Sequence, residues 1–141
     1  MLCIHSNSTR ETEAAGKDFA DRLNPGDVVA LKGDLGAGKT VFVRGIAVGL
    51  GCDESLVSSP TYALIHEYKG HRLSLCHVDA YRLCGPEDLW DTGFFDYLDN
   101  NWAAAVEWSE RVASVLDAAF CVTITPIDDT RREIIIEGRG I

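Results

Sequence analysis

The chain has 141 residues, a formal net charge of -9, 46% hydrophobic and 25% charged residues, which is the make-up of an ordinary globular protein. That size fits one domain, 1–141, and leaves little room for a separate substrate domain. So acidic a balance argues against a broad basic face for nucleic acid, while leaving room for a local patch.

In chain order, Leu2 to His5 reads as a short edge strand. Ser8 and Glu11 have capping-box spacing, and Ala15, Phe19 and Leu23 recur on one face, so a helix is predicted from about Thr9 to Leu23. Asn24-Pro25-Gly26 turns the chain into Asp27 to Lys32, a nearly continuous apolar run of the kind found where both sheet faces are covered. Directly after it comes Gly33-Asp34-Leu35-Gly36-Ala37-Gly38-Lys39-Thr40, which fits the phosphate-binding pattern G-x-x-x-x-G-K-[ST] at every specified position. A helix from Gly38 to about Leu50 follows, with Phe42, Val43, Ile46 and Leu50 as its buried stripe.

This order of strand, glycine loop and helix has a chemical reason. Backbone N–H groups of the loop and of the first helical turn surround a phosphate. Lys39 is placed to reach the β- and γ-phosphate oxygens, and the Thr40 hydroxyl to take Mg²⁺. Gly33, Gly36 and Gly38 let the chain curl where a Cβ would collide or forbid the turn. Nucleotide binding is therefore the first expectation.

Beyond Cys52-Asp53-Glu54, Val57 to Thr61 is a proline-broken loop near the ligand. Tyr62 to Tyr68 and Arg72 to Val78 flank Lys69-Gly70-His71 as a hairpin, with Asp79 at its end. Pro86-Glu87-Asp88-Leu89-Trp90 starts a helix, and a break at Gly93 precedes a second piece through Phe95 and Leu98. Trp102 to Glu107 is a buried strand ending in a carboxylate, Ser109 to Leu116 a short helix, and Phe120 to Thr125 with Arg132 to Glu137 a closing hairpin. The whole is an α/β chain with a P-loop NTPase fold, its single mixed sheet flanked by helices and its loop-bearing strand central.

A P-loop needs a carboxylate for Mg²⁺ and a group that positions the attacking atom. Asp79 and Glu107 each end a predicted strand at its carboxyl side, where α/β sheets bind ligands. Asp79 has the residue type usual for the metal partner, and Glu107 suits either metal ligation or orientation of water. Thr61 offers a hydroxyl that can sense the γ-phosphate as switch loops do, against a plain turn role. Trp108 reads as a packing residue or an interface anchor. His66 and His77 read as strand histidines without zinc-ligand spacing. Cys3, Cys52, Cys76, Cys84 and Cys121 include no C-x-x-C pair and read as reduced, mostly buried thiols of a cytoplasmic protein. The N-terminus shows no secretory pattern, and no apolar run approaches membrane-spanning length. There is no N-K-x-D segment for reading guanine and no Arg-rich lid.

Five blocks in order resemble the TsaE (YjeE) family: Gly33 to Thr40, Ser59-Pro60-Thr61-Tyr62, His77-Val78-Asp79-Ala80-Tyr81-Arg82-Leu83, Pro86-Glu87-Asp88-Leu89, and Glu107-Trp108-Ser109-Glu110. The resemblance implies a weak ATPase that binds ATP with Mg²⁺ and docks on the TsaD–TsaB pair, which transfers threonylcarbamoyl to adenosine 37 of tRNA. tRNA is then met only through that complex. It places metal ligation on Thr40, Asp79 and Glu107, a switch threonine at Thr61, and catalysis on Lys39, Asp79, Glu107 and Thr61. Nucleotide contacts fall on Gly33, Asp34, Leu35, Gly36, Ala37, Gly38, Lys39, Thr40 and Val41, and more loosely on Thr12 and Arg131. Two residues depart from the pattern: Ser109 stands where proline is frequent, and Val41 where a second threonine is. A small P-loop kinase and a nucleotide-gated binding protein without significant turnover remain the alternatives.

Overall fold

The computed structural model describes residues 1–34, 38–53 and 65–141, without the Arg82 side chain. Its strands are β1 (Leu2–Ser6), β2 (Val28–Lys32), β3 (Ile65–Tyr68), β4 (Leu75–Asp79), β5 (Ala103–Glu107), β6 (Phe120–Pro126) and β7 (Arg132–Gly138). Its α-helices are α1 (Thr9–Phe19), α2 (Lys39–Gly49), α3 (Pro86–Asp91) and α4 (Phe94–Asp99). The strands form one sheet in the order β1-β7-β6-β2-β5-β4-β3. β2 is parallel to both β5 and β6, and β4 is parallel to β5. The β3–β4, β6–β7 and β1–β7 pairs are antiparallel. The sheet is thus mixed, and the strand leading into the glycine loop is its middle one.

Alternation along the strands sorts the core into two faces. Val29, Leu31, Leu75, Ala103, Ala105, Phe120, Val122, Ile134 and Ile136 pack with Phe19, Phe42 and Ile46 of α1 and α2. Val28, Cys76, Val78, Ala104 and Val106 pack with Leu89 and Phe94 of α3 and α4 on the other. The apolar run in β2 is accounted for: Val28 to Leu31 are all buried, because neighbours cover both sides.

Helix α1 starts at Ser8, whose side chain accepts from the Glu11 N–H at 3.1 Å, and the Glu11 carboxylate returns to the Asn7 N–H. Its regular turns stop at Phe19 and give way to a 3₁₀ turn, Ala20–Arg22, where a continuous helix to Leu23 is predicted. The Ser109 to Leu116 segment likewise forms two 3₁₀ turns, Ser109–Arg111 and Ala113–Val115, rather than one helix. Trp108 opens it in a left-handed conformation, φ 57°, so the chain leaves β5 by a sharp bend. The thiols also divide differently from expectation: Cys52 and Cys76 are buried, but Cys3 and Cys84 are exposed. Burial pushes the Cys52 thiol up to about 11 and the Cys76 thiol up to about 12, so both are inert as thiolates at neutral pH.

Helices α1 and α2 touch backbone to backbone. A Cβ on Gly45 would lie 2.0 Å from the Glu13 carbonyl oxygen, and one on Gly16 2.2 Å from that of Phe42. This close approach fixes where the amino end of α2 sits over the sheet.

At the opposite end of β2, Asp27 is nearly buried and pairs with Arg139, whose two guanidinium nitrogens lie 2.9 and 2.6 Å from its oxygens. Burial pushes this carboxyl up, but the Arg139 and Asn24 hydrogen bonds and the guanidinium charge outweigh it and hold Asp27 below the ordinary value. A depressed folded-state pKa gives stability that is present above the unfolded carboxylate pKa of about 3.9 and lost as pH falls through the folded one. Asp27→Asn is expected to cost about 1–2 kcal/mol at neutral pH, discounted for the half-exposed Arg139, and to lose that difference in acid below about pH 4. Urea unfolding at pH 7 and pH 3 checks it.

Candidate functional site

The site lies where the carboxyl ends of β2, β4 and β5 meet the amino end of α2. Gly33 closes β2 with φ 152°, and Gly38 caps α2 with φ 104°, both in the region that glycine enters at least cost. Leu35, Gly36, Ala37 and the expected switch residue Thr61 lie outside the described residues. Asp34 is exposed beside Gly33.

Register brings the two acids together. Asp79 is the Cα partner of Glu107 across the parallel β4–β5 pair, so both side chains leave the sheet on one face. Parity with Leu75, Ala103 and Ala105 makes this the α2 face. Thr40, in the first turn of α2, has its Oγ1 at 3.4 Å from both oxygens of Glu107. One Asp79 oxygen accepts the Tyr81 N–H at 3.0 Å and caps the 3₁₀ turn Ala80–Arg82, which leaves its other oxygen for a ligand.

Lys39 is 4% exposed, and an ammonium so placed needs compensation. Its Nζ donates to the Gly33 carbonyl at 2.6 Å and sits 3.8 Å from the centroid of the Trp108 ring, a cation–π contact. The left-handed backbone of Trp108 turns that ring over the lysine, and Tyr81 packs against it at 5.1 Å. Gly38, Lys39, Thr40, Val41, Asp79, Glu107 and Trp108 line a cleft of about 290 Å³. The oxygen donors of Thr40, Asp79 and Glu107 are the set that a hard cation such as Mg²⁺ takes, and the lysine and helix amino end suit the phosphates that bring it. The residues fit the group.

A second, smaller pocket of about 160 Å³ opens on the other side of Gly38, lined by Ser8, Thr9, Thr12, Gly38, Val41, Asp129, Thr130 and Arg132. Thr12 is therefore near the loop, its hydroxyl 2.7 Å from that of Ser6. The arginine lining the pocket beside Gly38 is Arg132, the neighbour of the expected Arg131. Arg131 belongs to the turn, where its Nε reaches Asp128 at 2.6 Å, whereas Arg132 begins β7 with the parity of the inward-facing Ile134 and Ile136. Strand period alone carried that signal.

Two more residues at the site carried no functional reading in the sequence. His77, buried on β4, has its Nε2 in a short hydrogen bond with Oε2 of Glu107. The i, i+2 spacing of His77 and Asp79 was the available clue, since it puts both on one face. Ser109, at the position where the family pattern often has proline, is buried, and its hydroxyl lies 3.4 Å from the Leu31 carbonyl, tying the exit of β5 to the end of β2. His66 stays a strand histidine, its ring 5.8 Å from that of His77, and burial and the His77 charge hold it below the ordinary imidazole value against the pull of Asp79 and Glu107.

A mixed sheet whose middle strand runs through a glycine loop into a helix, with acids ending the neighbouring strands, defines a P-loop NTPase fold. The family profile described as "Threonylcarbamoyl adenosine biosynthesis protein TsaE" matches residues 6–134. The tRNA threonylcarbamoyladenosine biosynthesis protein TsaE of Treponema pallidum is 40% identical over 137 residues, 96% of this chain and 99% of that protein. The protein of the same name from Bacillus subtilis is 38% identical over 131 residues, 92% of this chain and 81% of its own length. The crystal structure of Bacillus subtilis YdiB superposes with a TM-score of 0.77 at 33% identity, over 99% of this chain and 86% of that one. The chain belongs to the TsaE family. Among the described residues no helix is long and apolar enough to cross a membrane.

Proposed function

We propose that this protein binds ATP with Mg²⁺ and hydrolyses it slowly, as the accessory ATPase of tRNA threonylcarbamoyladenosine synthesis in the cytoplasm. The observation that carries the reading is the convergence of Thr40 Oγ1 on Glu107, 3.4 Å from each oxygen, in the same cleft as Lys39 and Asp79. Mg²⁺, held by the oxygens of Thr40, Asp79 and Glu107, would supply positive charge against the phosphates.

The chain's own residues divide the remaining work. The amino end of α2 and the flanking loop N–H groups hold the phosphates, and Lys39 exchanges the Gly33 carbonyl for a phosphate oxygen as its partner. Thr40 and the Asp79 oxygen that does not cap the 3₁₀ turn would hold the metal. Glu107 completes the metal's shell or orients the attacking water, and Trp108 shields the lysine from solvent. Thr12 and Arg132 border the nucleotide beside Gly38, with Val41 between the two pockets. Thr61 reports the γ-phosphate to a partner surface. Among the described residues few groups in the cleft would stabilise a transferring phosphoryl, which accords with slow turnover raised by partners. By family, those partners are TsaD and TsaB, and exposed Trp90, stacked on Phe95 at 4.1 Å, is an available anchor for them.

Lys39→Ala removes the point charge from a site built for anions, and ATP affinity is expected to fall at least tenfold with the fold retained. Titration calorimetry measures it, and an affinity within about twofold of wild type would contradict the role of Lys39.

With a net charge of -9, the isolated protein is expected to bind tRNA weakly, since such binding rests on phosphate neutralisation by Lys and Arg. ATP should change its affinity for TsaD–TsaB and leave tRNA binding almost unchanged. Fluorescence anisotropy with labelled tRNA at about 50 and about 200 mM salt tests this: submicromolar, steeply salt-dependent binding without partners would point to direct RNA contact instead.

A further inference from the structure

We infer that His77 is a positioning residue for the metal site, a role that rests on the proposed Mg²⁺-ATP function. The sequence makes the contact possible. His77 stands opposite Ala105 in the β4–β5 register, and Ala103 and Ala105 present only methyl groups on that face. The imidazole therefore lies across β5 unobstructed and reaches the next side chain on the same face, Glu107. Both side chains are buried, at 7% and 8% exposure, and the histidine Nε2 meets Oε2 of the carboxylate in a short hydrogen bond. The rings of His66 and Tyr68, 5.8 and 6.4 Å away, wall the imidazole in.

An ionised carboxylate only accepts hydrogen bonds, so the nitrogen that faces Glu107 carries the hydrogen. That N–H occupies one oxygen and fixes the terminal torsion of Glu107, which is otherwise broad and nearly two-fold. The carboxylate is thereby held with both oxygens 3.4 Å from the Thr40 hydroxyl, and Oε1, which the imidazole does not bond, is left for the cleft that Thr40 and Asp79 also line. Outer partners of this kind set ligand orientation, and losing one typically weakens metal binding about 10- to 100-fold. His77 touches neither nucleotide nor metal. Its effect passes through Glu107.

Three proteins, wild type, His77→Leu and His77→Gln, decide the matter. Gln places a side-chain N–H where Nε2 of the ring now sits, and Leu fills the space without a donor. Each is first checked by thermal unfolding and by binding of a fluorescent ADP analogue without metal, which should stay near wild type. The affinity of each ADP complex for Mn²⁺ is then read by electron paramagnetic resonance. His77→Leu should bind Mn²⁺ at least tenfold more weakly, with His77→Gln recovering most of the loss. In steady-state ATPase assays the Mg²⁺ concentration at half-maximal rate should rise in step for the leucine variant, with the KM for ATP at saturating metal little changed. Equal Mn²⁺ affinity in all three proteins overturns the role of His77 alone, and so does an equal loss in the Leu and Gln variants, which would mark a packing effect. A wild-type complex that binds Mn²⁺ no better than free ADP does overturns the proposed function and this inference together.

Discussion

The site depends on the parallel register between β4 and β5, which sets Asp79 opposite Glu107. Side chains alternate with a period of two, so a slip of one residue would carry Glu107 to the α3–α4 face and leave Thr40 without its partner. Several features hold the register. The alanines of β5 let it lie between β2 and β4 with all five of its residues buried, and the Ser109 hydroxyl ties its exit to the end of β2. On the helix side, the close approach of Gly16 and Gly45 sets the height of α2 and with it the position of Thr40.

Three groups of this site that carry or exchange charge, Lys39, Glu107 and His77, are nearly buried. Such burial is tolerable only with partners, and each has one: Lys39 the Gly33 carbonyl and the Trp108 face, Glu107 the imidazole and the Thr40 hydroxyl. The left-handed backbone of Trp108 costs about 1–2 kcal/mol and is kept where it sets a ring over the buried Lys39 ammonium.

Much of this was legible in the sequence because it rests on short-range rules. The glycine loop, the apolar β2, the capping box of α1, the proline start of α3 and the break at Gly93 are each encoded by neighbours within a few residues. Both acids were legible as strand-end carboxylates, although only the register shows that they share a face. The failures have the opposite character. A continuous helix after Trp108 was expected from local pattern, and the bend of the chain out of β5 overrides it. His77 reads as a strand histidine until Ala105 is known to lie beside it, a relation between residues far apart in the chain.

The most direct measurement is a crystal structure with a non-hydrolysable ATP analogue and Mn²⁺, located by its anomalous scattering. The expected result is a β-phosphate against the amino end of α2 and a Mn²⁺ ion coordinated by Thr40 Oγ1 and by at least one carboxylate oxygen of Asp79 or Glu107. A nucleotide bound elsewhere, or a metal ligated by none of these three residues, would contradict the account.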